Sequence, residues 1–153
     1  MRIGELLSLQ EEDILLNKKA IFIRDDISKG RKDRYTFFGN SLHTILKRWL
    51  NYKDRYFNTD LVFPTTSGKL LAVTNFEKNL KKYSNRANVS ITAHQIRNNF
   101  AKRYLLSGGD IYTLSRILGH SSVTTTERAY LDITAEQMNK KYREFSPLDN
   151  MKK

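Results

Sequence analysis

Thr92-Ala93-His94-Gln95-Ile96-Arg97 is the stretch on which the reading of this chain turns. A Thr followed three residues later by Gln is the capping-box pattern. The hydroxyl can accept from an orphan backbone N–H, and the Gln side chain can reach back. The pattern starts a helix at Thr92 and puts His94 and Arg97 in its first turns. Three residues apart, they share one face. A helix N-terminus draws anions through its free N–H groups and its dipole. An imidazole and a guanidinium there make a candidate phosphate site, since the Arg fork bonds two phosphate oxygens at once. Taken alone, the pair reads at least as well as two solvated polar groups on a helix end.

The same pattern recurs outward from this stretch, at Thr74 with Glu77, Thr124 with Glu127 and Thr134 with Gln137. Residues 41–57 read as a helix with Leu42, Ile45, Leu46, Trp49 and Leu50 on one face. Ile3, Leu6, Leu7 and Leu9 carry a helical pattern straight from Met1, and this uncapped start suggests a piece of a longer protein. The runs Ala20-Ile21-Phe22-Ile23 and Arg34-Tyr35-Thr36-Phe37-Phe38 flank Ser28-Lys29-Gly30 and predict a hairpin. Leu61-Val62-Phe63 reads as a short buried segment ended by Pro64 and a turn at Ser67-Gly68. No repeat or linker divides residues 1–153. The expected fold class is α+β: one mostly helical domain with a small antiparallel β-sheet.

Charge narrows the partner. Lys and Arg number 27 against 16 Asp and Glu, a net charge of +11, and the basic residues are spread along the chain. A folded surface that tracks a polyanion fits this balance, and the usual polyanion is nucleic acid. RNA binding on a sheet would favour an aromatic stacking platform, but Phe37 and Phe38 are adjacent and so point to opposite faces. There is no cysteine, no signal peptide pattern and no apolar run of membrane-span length. These features fit a cytoplasmic protein with no membrane partner.

No metal or other cofactor is implied. A two-metal nuclease needs clustered carboxylates. The candidates Glu11-Glu12-Asp13 and Asp25-Asp26 read as solvated turn and helix-end acids. His43, His94 and His120 lack zinc-site spacing, and His43 reads as a surface or core-edge residue.

Four further pieces carry possible chemistry. In Leu118-Gly119-His120, Gly119 reads as a helix stop with His120 in the turn beyond it. Tyr130 follows the next helix start and, alone, is an ordinary amphipathic side chain. The turn Ser28-Lys29-Gly30-Arg31-Lys32-Asp33-Arg34 is either a solvated basic loop or a lysine reaching into a DNA groove. Arg2 and Glu5 lie one helical turn apart and, by default, form a surface ion pair of little worth.

In this order and spacing the pieces resemble the tyrosine recombinase, or phage integrase, family over nearly the whole chain. The family's Arg-x-x-Glu motif matches Arg2 to Glu5, and its hairpin lysine matches Lys29. Its His-x-x-Arg motif matches His94 to Arg97, its Leu-Gly-His motif matches Leu118 to His120, and its tyrosine matches Tyr130. Two departures stand out. Asn98 occupies a position where members often have a second His, and the step from His120 to Tyr130 is one residue longer than in many members.

The resemblance implies a recombinase catalytic core that cuts and rejoins double-stranded DNA by transesterification. Tyr130 would be the nucleophile and would form a 3′-phosphotyrosine. Arg2 and Arg97 would clamp the phosphate, with His94 and His120 as donors or proton carriers. Lys29, or nearby Lys32, would protonate the leaving 5′-oxygen. Arg31, Lys32 and Arg34 would contact DNA. No cofactor is needed, because the covalent link stores the energy. A homo-oligomer, a tetramer on DNA, is expected of the full-length protein, whose N-terminal DNA-clamping domain would lie outside residues 1–153. A C-terminal helix from Thr134 to about Phe145 would dock either on its own core or on a neighbouring protomer. A type IB topoisomerase and a DNA-binding module that no longer cuts are the rival readings. The host element, whether phage, another mobile element or chromosome, stays open.

Overall fold

Val62 and Leu9 are fully buried and mark the centre of the first core cluster. Their strands of chain meet through backbone bonds: Val62 N–H donates to Leu9 O, and Gln10 bridges Leu61. Ile14, Ile21 and Ile23 complete the cluster, and Trp49, Leu50 and Phe63 pack on its rim. In a computed structural model, the structure describes residues 1–120 together with 122, 124 and 126. Tyr130, the Thr134–Gln137 box and the expected C-terminal helix lie outside the described residues.

The elements follow the sequence in order. Helix α1 spans Ile3–Leu7, strands β1 Ile14–Leu15, β2 Ala20–Ile23 and β3 Arg34–Phe37. Helices α2 Asn40–Tyr56, α3 Val73–Arg86, α4 Ala93–Leu106 and α5 Ile111–Leu118 complete the described part. The sheet is antiparallel in the order β1-β2-β3. The domain is therefore mostly helical with one small sheet, as its sequence predicts. A second core cluster, Ala101, Leu105, Leu114 and Leu118, holds α4 to α5. Each fully buried Leu, Ile or Val side chain in these clusters contributes about 1.5–3 kcal/mol.

Several local expectations need correction. The first helix stops at Leu7, and Leu9 enters the core as extended chain. Thr74 does not cap α3: the cap position is Ala72, and Thr74 lies within the first turn. Thr124 is itself helical, and the Ser122 hydroxyl accepts from its N–H. Leu42 and Ile45 are exposed, so only Leu46, Trp49 and Leu50 of the α2 stripe turn inward. Asp13 is not a solvated turn acid. It is buried, accepts from Gln10 N–H at 2.8 Å and pairs with Arg24 at 3.2 Å.

The hairpin also faces the opposite way from its apolar pattern. Period-2 reading would turn Tyr35 and Phe37 inward. Instead Thr36 is buried while Tyr35 and Phe37 are exposed. Arg34 has the same parity as Thr36, so its side chain points in, with only 11% of it accessible. A buried carboxylate, Glu5, waits for it there. The inward face of β3 thus carries Thr36 and the Arg34–Glu5 ion pair.

Candidate active site

The site is built where four separate pieces of chain meet: the start of α1, the hairpin, the start of α4 and the end of α5. Helix α5 ends on Gly119 at φ 67°, the left-handed region. Gly119 N–H donates to Arg116 O and His120 N–H to Ser115 O. This paired closure is a Schellman turn, and it fixes where His120 begins. A helix stop at Gly119 with His120 just beyond is what the sequence predicts.

Helix α4 starts with the full capping box. Thr92 Oγ1 accepts from Gln95 N–H at 3.2 Å, and Gln95 Oε1 accepts from Thr92 N–H at 2.8 Å. The box sets the phase of α4, and Arg97 is thereby brought to the Gly119 turn. Its Nη2 donates to Leu118 O at 2.7 Å and lies 3.0 Å from His120 Nε2. His120 Nδ1 lies 2.8 Å from Oγ1 of buried Thr126.

Arg2 arrives from the other end of the chain. Its Nη2 donates to Gly119 O at 3.0 Å. Its Nη1 donates to Glu5 Oε1 at 3.0 Å, and its backbone N–H donates to Glu5 Oε2 at 2.6 Å. Glu5 is 2% exposed, so the pair is not the surface contact expected from spacing alone. Burial would raise the Glu5 carboxyl, but hydrogen bonds from Arg34 and Arg2 outweigh it and hold the group below the usual carboxylate range.

Arg34 also departs from expectation. Its place in the turn groups it with the DNA-facing residues Arg31 and Lys32, yet its guanidinium is turned into the protein. Nη2 donates to Glu5 at 2.6 Å and Nη1 to Ser28 Oγ at 3.2 Å. The sequence signal that could have found it is Glu5, an acid set among the apolar residues Ile3, Leu6 and Leu7.

The hairpin turn places Lys29, Arg31 and Lys32 on the exposed surface. Among the described residues, their side chains make no hydrogen bond or ion pair. Arg31 has φ 46°, which sharpens the turn. The structure thus brings together Arg2, Arg97 and His120, and leaves Lys29 and Lys32 outside that cluster. His94 is exposed on the first turn of α4 and near enough to act on the His120 ring. Burial first, then the charges of Arg97, Arg2, Arg34 and His94, push the His120 imidazole below its ordinary value. Beside the guanidiniums lies a hollow of about 230 Å³ walled by Leu6, Phe76, Ile96, Phe100 and Leu118. Chemically, the cluster offers two guanidiniums to a tetrahedral oxyanion, with the His120 imidazole bonded to one of them.

Among the described residues, no helix is long and apolar enough to cross a membrane.

Comparison with known proteins identifies the family. The model of the phage integrase family matches residues 1–137. The tyrosine recombinase XerC of Pediococcus pentosaceus is 31% identical over 155 residues, which cover 96% of this chain and 50% of that protein. The crystal structure of XerA recombinase superposes with a TM-score of 0.82 at 28% identity, over 95% of this chain and 53% of that one. XerH recombinase, solved in a post-cleavage complex with a palindromic difH substrate, gives 0.73 at 26% identity, over 97% and 42%. This chain spans about half the length of the curated relatives it matches. With the family's model running through every part of the cluster just described, the chain belongs to the phage integrase family, the tyrosine recombinases.

Proposed function

We propose that this chain is the catalytic part of a site-specific DNA recombinase that works through a 3′-phosphotyrosine. The observation that carries the reading is the convergence of Arg2, Arg97 and His120 on the Gly119 turn. A phosphodiester gains negative charge as it is attacked, and preorganised donors aimed at that charge lower the barrier. Tyr130 Oη passes its proton to solvent as it attacks phosphorus, and the P–O bond to the 5′-oxygen breaks. Lys29 or Lys32, on the exposed hairpin turn, supplies the proton that the leaving oxygen needs. In the second step a 5′-hydroxyl attacks the phosphotyrosine, returns a phosphodiester and frees the tyrosine. His94 adds a donor at the edge of the cluster.

The partner is duplex DNA. Support comes from the net charge of +11, the exposed Arg31 and Lys32, and a XerH relative captured on its own DNA substrate. One nucleophile per strand and two duplexes to exchange call for a tetramer on DNA. Integration of a phage or other mobile element and resolution of chromosomal copies would use the same steps.

The test is a nicked suicide duplex pool with a randomised core. The chain should form a DNA adduct that resists denaturant, and Tyr130→Phe should not; an adduct that survives Tyr130→Phe removes Tyr130 as nucleophile. A 5′-bridging sulfur needs no protonation to leave, so it should restore cleavage to whichever of Lys29→Ala and Lys32→Ala has lost the acid.

A further inference from the structure

We propose that Arg34 is a positioning residue for strand cleavage, one that sets the Arg2 guanidinium and the His120 turn against each other. The proposal rests on reading the cluster as a phosphodiester-cleaving site.

The groups around Arg34 close a ring. Arg34 Nη2 donates to Glu5 Oε2 at 2.6 Å, and Glu5 Oε1 accepts from Arg2 Nη1 at 3.0 Å. Arg2 Nη2 donates to Gly119 O at 3.0 Å. Gly119 then sits on Arg34 itself: a Cβ at Gly119 would lie 2.5 Å from Arg34 Cζ and 2.6 Å from Nε. Any shift of Arg34 therefore reaches Arg2 through Glu5 and reaches His120 through the turn. A further bond, Nη1 to Ser28 Oγ at 3.2 Å, ties the ring to the residue before Lys29.

The shape of the group matters as much as its charge. A planar fork can serve Glu5 and Ser28 with two nitrogens while its flat face lies under a glycine. An ammonium offers one nitrogen and no face. Among the described residues, Arg34 Nε is buried without a hydrogen-bond partner. A residue selected for stability alone would avoid such an orphan donor. Breaking the apolar pattern of β3 to bury this group fits a role in fixing one arrangement of the site.

The experiment compares wild type, Arg34→Lys and Ser28→Ala in the full chain. Each is checked by thermal unfolding and by duplex binding. Adduct formation with the nicked duplex pool is then followed at saturating DNA, where only the step after binding is read. The ¹⁵N signals of the Arg2 guanidinium and the His120 ring are recorded without DNA. Arg34→Lys should unfold cooperatively and bind DNA as wild type does, yet form adduct about 100-fold more slowly, as a misplacement near 1 Å does. Its Arg2 and His120 signals should move. Ser28→Ala should lose less, in the same direction. A wild-type rate in Arg34→Lys, or unmoved signals, overturns the proposal. Should Arg34→Lys fail to fold, Ser28→Ala decides: slowed cleavage with unchanged binding supports the role, and a wild-type rate overturns it. If wild type itself forms no adduct, the cleavage reading falls, and the Arg2 and His120 signals alone still judge whether Arg34 sets their positions.

Discussion

Arg97 Nη2 lies 3.0 Å from His120 Nε2, and a guanidinium can only donate. His120 Nε2 therefore accepts, and the ring proton sits on Nδ1, where Thr126 Oγ1 takes it at 2.8 Å. The imidazole is neutral in this arrangement. It orients Arg97 rather than adding a second positive charge beside it.

That relationship predicts a low titration midpoint for His120. Burial and the surrounding guanidiniums lower its value, with Arg97 first among the charges. Arg97→Ala should therefore move the midpoint upward, toward an ordinary histidine. The stability linked to neutral His120 is fully present above the ordinary histidine value and is lost as pH falls through the folded one. Ring NMR across a pH series reads both effects. A midpoint that stays put in Arg97→Ala would remove the pairing.

Glu5 is the countercharge for two guanidiniums. Glu5→Ala leaves Arg34 buried and unpaired and should cost about 3–5 kcal/mol in urea unfolding. The folded-state carboxyl is held below its usual range. Its contribution is thus complete above the ordinary carboxylate value and fades as pH drops through the lowered one. Wild type should lose this part of its stability in acid, and Glu5→Ala should not.

The capping box of α4 carries Arg97 to the turn. Thr92→Ala removes the acceptor for Gln95 N–H. It should lower stability by about 1 kcal/mol. Thermal unfolding measures the loss, and Thr92→Ser should recover most of it.

Binding of duplex DNA should weaken steeply with salt. Arg31 and Lys32 are exposed on the hairpin turn. Replacing both by Gln should flatten the log–log salt slope by about 2, one for each phosphate that the turn no longer neutralises. An unchanged slope in titrations across salt would place the DNA elsewhere.

Elements with strong local signals are legible in the sequence. Thr92 with Gln95 announces α4, Gly119 announces the end of α5, and the hairpin strands fall close to their predicted places. The ordered motifs lead to Arg2, Arg97 and His120 together. What stays hidden are features settled by distant partners. Thr74 looks like a cap, but the chain enters the helix two residues earlier, at Ala72. Leu42 and Ile45 look like core, yet α2 leans inward through Leu46, Trp49 and Leu50. Arg34 looks like a DNA contact because Glu5, which claims it, stands 29 positions away. Local pattern carries no information about a countercharge that far along the chain.

The bond from Arg2 to Gly119 O spans 117 positions. A contact that closes so long a loop forms only after the pieces between it have been ordered. On a ribosome, Arg2 emerges long before the glycine that completes its pocket. A nascent or half-folded chain therefore lacks the paired guanidiniums, which come together only once the pieces between Arg2 and Gly119 have folded.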